Sequence, residues 1–425
     1  MLKKSMLVVL SIPVFIHATS ITTLLNSLQH RPEHRLDNLY VEKSTLGREA
    51  VSDKLMPTVN IYGAYEISNS PTGLLPVAPN ELTGMVKDQS VGQPFSKGIL
   101  REGVNFTWPL FVKSIYTLEE KAELLHLAAK EKRKLNLIQR EAVVVGSVAQ
   151  LRYLESIKVA LQAKKRSIKQ TEMTTKMKVK EGRVPESAVF VLNSNINELD
   201  IAMNNIEQNI NLLSSKIETL TGVHLRKSVP LRVRRSVKKG EIFALKPLQK
   251  KVEASRKGVQ AADEAFIPSI VTKGNYTYSQ ADAYNNGNSV REHYGTAGIY
   301  LSMPLFDSSK STASQQARVD YMKDKTNLDQ TKHSLSVQAR QLDRELILLK
   351  RSLKLAQKSV NGQKKLLRIA KVSLKNESIT QEEYLRYEDA LANAKANLYN
   401  IRAKQWQDLA QLAVIYGNDL KEIVK

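Results

Sequence analysis

Ten apolar residues recur every third and fourth position between Val189 and Leu220: Val189, Leu192, Ile196, Leu199, Met203, Ile206, Ile210, Leu213, Ile217 and Leu220. Between them lie Asn193, Asn195, Asn197, Glu198, Asn204, Asn205, Glu207, Gln208 and Asn209, so the seam is narrow. An unbroken 3.5-residue period belongs to a long helix that supercoils against neighbours, not to one resting on a globular core.

The pattern returns 195 residues later. Tyr384, Tyr387, Leu391, Ala394, Leu398, Ile401, Gln405, Asp408, Leu412 and Ile415 keep eight of ten apolar positions, Ile206 falls on Ile401 and Gly222 on Gly417. The chain reads as two copies of one unit, residues 21–222 and 244–417, joined by a basic linker at 223–243 and followed by a tail at 418–425.

Cysteine is absent, which excludes disulfides, thiolate metal sites and cysteine nucleophiles. Met1 to Ser20 reads as a signal peptide: Lys3 and Lys4, an apolar run from Met6 to Ile16, then small residues at Ala18 and Ser20. No later stretch approaches the ~18 apolar residues of a spanning helix. With 64 Lys and Arg against 42 Asp and Glu, the net charge is +22. For a secreted chain that balance points to acidic surfaces or an anion-friendly lumen.

In the first unit, a helix to Leu55 stops at Met56-Pro57. Val59 to Ser68 alternates as a strand, with Val59, Ile61, Gly63, Tyr65 and Ile67 on one face. Asn69 to Gly98 holds four glycines and four prolines and reads as a long loop. A second strand carries Val104, Phe106 and Trp108 and ends at Pro109, closing a β-hairpin over 58–108. From 113 to 181 there is no proline and one glycine, which predicts a helix on the order of 100 Å long. Gly182 to Pro185 turns the chain, and a return helix runs over 186–221. The second unit repeats this order: helix from Ala244, hairpin 269–303, long helix 308–375, turn Asn376 to Thr380, return helix 381–416. The second long helix has its own seam, twelve of fourteen positions apolar from Leu328 to Leu374. The segment Arg226 to Lys239 carries seven basic residues and no acid.

Strands of about ten residues match tilted strands crossing a bilayer. Four strands cannot close a barrel, and lipid does not tolerate an open sheet edge. Transmembrane strands here therefore require several chains to pool them, with the long helices projecting away as a coiled-coil bundle. The fold class is mixed α and transmembrane β, internally duplicated, with long antiparallel coiled-coil helices and two β-hairpins. One other reading stands beside it: a secreted coiled-coil structural or interaction protein.

The order of elements, the duplication and the local motifs resemble the TolC-like outer-membrane efflux protein family. The residues that carry this are Arg31-Pro-Glu33, Leu55-Met-Pro57, Trp108-Pro-Leu-Phe111 with Met303-Pro-Leu-Phe306, and Gly182-Arg-Val-Pro-Glu-Ser187. Ser378-Ile-Thr380, Glu383-Tyr-Leu385, Asn393-Ala394 and Ile415-Tyr-Gly417 complete the set. The resemblance implies a homotrimer with a twelve-stranded β-barrel in outer-membrane lipid and a twelve-helix α-barrel through the periplasm. It further implies docking of a periplasmic adaptor (membrane fusion) protein and an inner-membrane transporter of the RND, ABC or MFS class, for tripartite efflux or type I secretion. The duct itself is a passive conduit, with no catalytic residues and no cofactor or metal.

By the same resemblance, the turns Gly182, Arg183, Val184, Pro185 and Asn376, Glu377, Ser378, Ile379, Thr380 are the periplasmic tip and adaptor contact. Candidate gate charges are Arg183, Glu382, Glu383, Arg386 and Asp389, with Glu388 beside them. The first turn has Ala188 where the family commonly has Asp, and the basic balance departs from an acidic lumen. Catalytic motifs are missing: there is no phosphate-binding Gly-x-x-x-x-Gly-Lys, no Gly-x-Ser-x-Gly and no His-Glu-x-x-His. His30 and His34 have helical ligand spacing but are interrupted by Pro32. Lys130 to Lys134 and Arg232 to Lys239 lack the interleaved aromatics of a nucleic-acid surface.

Overall fold

The computed structural model describes residues 20–425. The signal-peptide reading covers residues 1–20, of which 1–19 lie outside the described residues. The chain runs α1 (Ile21–Ser27), α2 (Pro32–Ser52), β1 (Thr58–Gly73), α3 (Pro79–Lys87), β2 (Phe95–Phe111), α4 (Lys113–Lys180) and α5 (Ser187–Thr221). It continues with α6 (Lys246–Asp263), β3 (Ser269–Asp282), β4 (Ser289–Ser302), α7 (Ser308–Lys375), α8 (Gln381–Tyr416) and α9 (Leu420–Ile423). Two compact units divide it: Tyr40–Lys130 with Pro247–Asp329, and the described part of Met1–Leu39 with Glu131–Lys246 and Gln330–Lys425.

The first of these holds one antiparallel sheet in the order β1-β2-β3-β4. Strand register explains its two faces. Ile61 pairs with Val104, which pairs with Tyr276, and Thr272 pairs with Ile299. Because side chains alternate, this aligns Val59, Ile61, Tyr65 and Ile67 with Val104, Phe106, Tyr276, Ile299 and Leu301 on a single face. That face is bare: Ile61 is 85% exposed, Ile67 78% and Ile299 73%. The opposite face is polar. Asn60, Asn105, Asn275 and Thr296 form one row across all four strands. One residue pair further, the Tyr62 hydroxyl reaches Thr277 Oγ1 at 2.5 Å, passing over Gly103. Arg101 secures the next row, donating from Nε to Glu66 at 2.9 Å and from Nη1 to Ser279 Oγ at 3.1 Å.

The strands are longer than the alternating runs, and the expected loop 69–98 is correspondingly shorter. β1 continues to Gly73 after a register irregularity between Ile67 and Thr72, and Pro71 is accepted there because β1 is an edge strand. β2 begins at Phe95 because Ile99 is buried with Leu74 and Ala281 in a small core of its own. A helix, α3, occupies part of the remaining connection. Pro109 does not end β2. It pairs with Val271, and the register shifts before Phe111.

In the second unit, all ten seam positions of α5 are buried or half-buried. α8 has more than the one predicted seam. Leu412 and Ile415 pack on Ala339 and Leu342 of α7, and Leu391 and Leu398 on Ala356 and Val360. A second stripe, Ala403, Trp406, Leu409, Ala410 and Ala413, packs with Val144, Val145, Val148 and Leu151 of α4, and Ala392 and Ala396 meet Ala160 and Ala163. α8 is therefore held between α4 and α7. Small residues on both sides let α4 and α8 approach closely.

Residues 223–243 are not a free linker. Leu225 and Val229 are buried in the core that contains Ile21, Leu24 and Leu25 of α1 and the following Leu28. Val233 forms a β-bridge with Val424, and Arg232 and Lys425 exchange two backbone hydrogen bonds of 2.8 Å each. Arg31 lies over the α5 C-cap Gly222 and donates to the Thr219 carbonyl at 3.1 Å. Large apolar residues stay exposed on α5 (Phe190, Val191, Ile201, Leu212) and on α7 (Ile347, Leu348, Leu355, Ile369).

Candidate functional site at the two helix turns

The turn after α4 ends in a left-handed residue, Gly182, with φ 70°. Arg183 N–H bonds the Lys178 carbonyl at 2.9 Å and Gly182 N–H the Val179 carbonyl at 2.9 Å. This is a Schellman closure, in which a left-handed residue lets the chain satisfy the last carbonyls of the helix. The turn after α7 has the same bonds: Ser378 N–H to Ser373 at 2.8 Å and Glu377 N–H to Leu374 at 3.0 Å. Glu377 takes the left-handed position with φ 56°, the one non-glycine residue with positive φ among the described residues. Val184 and Ile379 are half-buried, while Arg183, Pro185, Asn376, Ser378 and Thr380 are exposed.

The helices leave the two turns differently. Thr380 caps α8, accepting from Glu383 N–H at 3.1 Å, while Glu383 Oε2 accepts from Thr380 N–H at 2.8 Å. This reciprocal capping box consumes Glu383. In the first turn Pro185 precedes α5, whose N-cap, Glu186, makes no side-chain capping bond.

The candidate gate charges are satisfied near home. Arg183 Nε sits 3.2 Å from Glu181, and Arg386 pairs with Glu382 one helical turn earlier at 2.8 Å. Among the described residues no ion pair joins Arg183 to Glu382, Glu383 or Asp389. Asp389 is half-buried and accepts from Asn393 at 2.9 Å; burial pushes its carboxyl above the usual aspartate range, against the pull of Lys164. Its neighbour Glu388 faces Arg166 of α4 at 3.4 Å. Lys165 pairs with Asp200 and Lys158 with Glu207, tying α4 to α5. These cross-helix pairs escaped the sequence reading, since the partner spacing across a turn depends on where the turn closes.

A second charged cluster lies where α2, α4 and the C-terminal segment meet. Arg140 Nη2 is 2.5 Å from Asp37 Oδ2, and Asn136 donates to Asp37 Oδ1 at 2.7 Å. Burial, then Arg140, pushes the nearby His34 imidazole down. Glu141 is 1% exposed, and its Oε2 accepts the Leu420 N–H at 3.1 Å. Burial, reinforced by the Asp419 charge, raises its carboxyl to about 8. Among the described residues no cluster of His, Asp and Glu is arranged to hold a metal ion, and no helix is long and apolar enough to cross a membrane.

Residues 241–418 match the family model of the outer membrane efflux protein. By sequence the chain finds no significant match among curated proteins. Its fold is similar to that of the Campylobacter jejuni CmeC outer membrane channel (TM-score 0.70, 16% identity, 94% of this chain and 85% of that one). It is similar also to the outer membrane protein VceC of Vibrio cholerae (0.69, 12%, 93% and 96%). A third match is the open state of the Neisseria gonorrhoeae MtrE outer membrane channel (0.70, 15%, 95% and 90%). The chain thus has the fold of the TolC-like outer-membrane efflux proteins over nearly its whole length, and over residues 241–418 it carries that family's sequence pattern as well.

Proposed function

We propose that this chain is one third of an outer-membrane exit duct, built from two copies of a helix–hairpin–helix unit. Three chains pool twelve strands into a barrel and twelve helices into a periplasmic tunnel. Substrates delivered by an inner-membrane transporter pass through without chemistry in the duct, as part of a tripartite pump or a type I secretion system. The two turns serve as the periplasmic tip and meet an adaptor protein.

The observation that carries this reading is the sheet. It presents one exposed, largely apolar face, with Glu102, Arg291 and His293 gathered toward one end, and one polar face, and β1 and β4 each pair on one side only. A bare apolar face suits lipid, a polar face suits a water-filled lumen, and free edges in lipid demand closure by further strands. The exposed apolar residues of α5 and α7 offer the matching contacts between neighbouring bundles. The strongly basic composition favours anions over cations in the lumen.

The test is conductance of the mature, detergent-purified protein in a planar bilayer, with an ion-selectivity titration. Discrete steps from a trimeric species support the duct. Recovery of the protein wholly in the soluble periplasm, with no insertion, overturns it in favour of a secreted coiled-coil protein.

A further inference from the structure

Three arginines converge on a cavity that no carboxylate lines. The cavity, about 470 Å³, lies between α4, α8 and the segment 230–233. Arg152 comes from α4, Arg402 from α8 and Arg232 from the segment anchored to Lys425. The Arg152 and Arg402 guanidinium carbons lie 5.2 and 5.6 Å from the centroid of the Tyr399 ring. Trp406, 7% exposed, forms part of an apolar floor with Ala149 and Ala403.

Arg140, Arg183, Arg235 and Arg386 each pair with an acid. Among the described residues neither Arg152, Arg232 nor Arg402 has an acidic side-chain partner; Arg402 donates to Gln357 Oε1 at 3.4 Å. The nearby acid Glu155 is turned to Ser228, whose N–H donates to it at 2.7 Å. Like charges brought to one cavity repel, so an anion gripped through paired guanidinium N–H donors would stabilise the arrangement. The Tyr399 phenol reports the same field: the hydrogen bond from Arg152 and the arginine charges hold it below the usual tyrosine range.

We propose that this cavity is a binding site for a small organic oxyanion, a carboxylate or phosphate head held by Arg152, Arg402 and Arg232 with its apolar body on Trp406. The volume falls within the range of small-molecule sites, and the mix of apolar floor and few convergent polar groups is typical of them. Occupancy would cross-link α4, α8 and the 223–243 segment, and so couple a solute to the rigidity of this unit.

Trp108 and Trp406 are the two tryptophans of the chain, so a Trp108→Phe protein reads Trp406 alone. The experiment titrates this detergent-purified full chain with benzoate, acetate and inorganic phosphate at constant ionic strength set with chloride. The expected result is a saturable change in Trp406 fluorescence, with benzoate at least tenfold tighter than acetate if the floor is used. Phosphate tighter than benzoate instead assigns the head as phosphate. The Arg152→Gln/Arg402→Gln double variant weakens binding at least tenfold, while Arg368→Gln on α7 leaves it unchanged. If the glutamine pair does not fold by circular dichroism, the Arg152→Lys/Arg402→Lys pair keeps the charge but loses the paired donors, and weaker binding is again expected. A linear, unsaturable response, or equal affinity in whichever double variant folds, overturns the site. The readout does not use conductance, so its failure leaves the duct reading untouched.

Discussion

Glu377 holds the left-handed backbone conformation, φ 56°, that Gly182 holds 195 positions earlier with φ 70°. The hydrogen bonds around the two residues match, but one position is filled by the residue the geometry favours and the other is not. A side chain in this region costs roughly 1–2 kcal/mol. Nothing lies within 4 Å of a Cβ placed on Gly182, so the backbone alone sets the difference. Glu377→Gly is expected to stabilise the chain by about 1 kcal/mol and Gly182→Ala to destabilise it by a similar amount. Thermal unfolding of the two variants beside the parent checks both signs.

Gly103 is a steric requirement of the sheet. A Cβ there would stand 2.4 Å from the Tyr276 carbonyl and 2.8 Å from the Tyr62 ring. Gly103→Ala is expected to cost about 1–3 kcal/mol, by forcing the β2–β3 pairing apart and moving Tyr62 off Thr277. Gly63, with nothing within 4 Å of its Cβ, serves as the control: Gly63→Ala leaves the melting temperature nearly unchanged.

Glu141 makes stability depend on pH in the direction opposite to a paired carboxylate. Its folded value of about 8 exceeds the ordinary 4.5, so the folded chain holds this proton more tightly than the unfolded one. The stability is fully present below about pH 4.5 and is lost as pH rises toward 8, by an amount on the order of a few kcal/mol. Glu141→Gln keeps an acceptor for Leu420 N–H and removes the charge. Between pH 5 and 9 its melting temperature is expected to fall less than that of the parent; parallel curves would show that Glu141 is not the titrating group.

The pairs Arg183–Glu181 and Arg386–Glu382 are local, and both arginines are exposed. Exposed pairs of this kind contribute about 0–1 kcal/mol. Arg183→Ala and Arg386→Ala are therefore expected to leave thermal stability within about 0.5 kcal/mol of the parent. Conductance that rises in either variant then originates in contacts beyond a single chain, which is the behaviour proposed for the tip.

Close packing between α4 and α8 rests on Ala160, Ala163, Ala392 and Ala396. Ala163→Leu is expected to overpack this contact and cost about 1–3 kcal/mol in unfolding free energy.

The α5 seam was legible because large apolar residues alternate there with asparagine and glutamate, giving strong contrast at one period. The second seam of α8 was not. It is built mostly from alanine, whose small side chain carries little hydropathy signal yet permits close helix approach. Charge hid the role of 223–243: seven basic residues outweighed Leu225 and Val229, the two that anchor it. Turn positions were legible from Gly182 and Pro185. The left-handed conformation of Glu377 was not, since only its place 195 residues after Gly182 suggests it. The arginine cavity was illegible because Arg152, Arg232 and Arg402 are far apart in the chain and meet only through packing.

The unpaired outer rows of β1 and β4 also bear on inheritance. In the proposed three-chain ring, every closed barrel needs three sound β1 edges and three sound β4 edges, so a single faulty copy spoils the whole. A cell making equal amounts of a sound chain and one whose β4 edge is blocked would close only about an eighth of its rings from sound copies alone. A lesion confined to one strand edge would thus behave as dominant, whereas a chain that never folds would merely halve the supply.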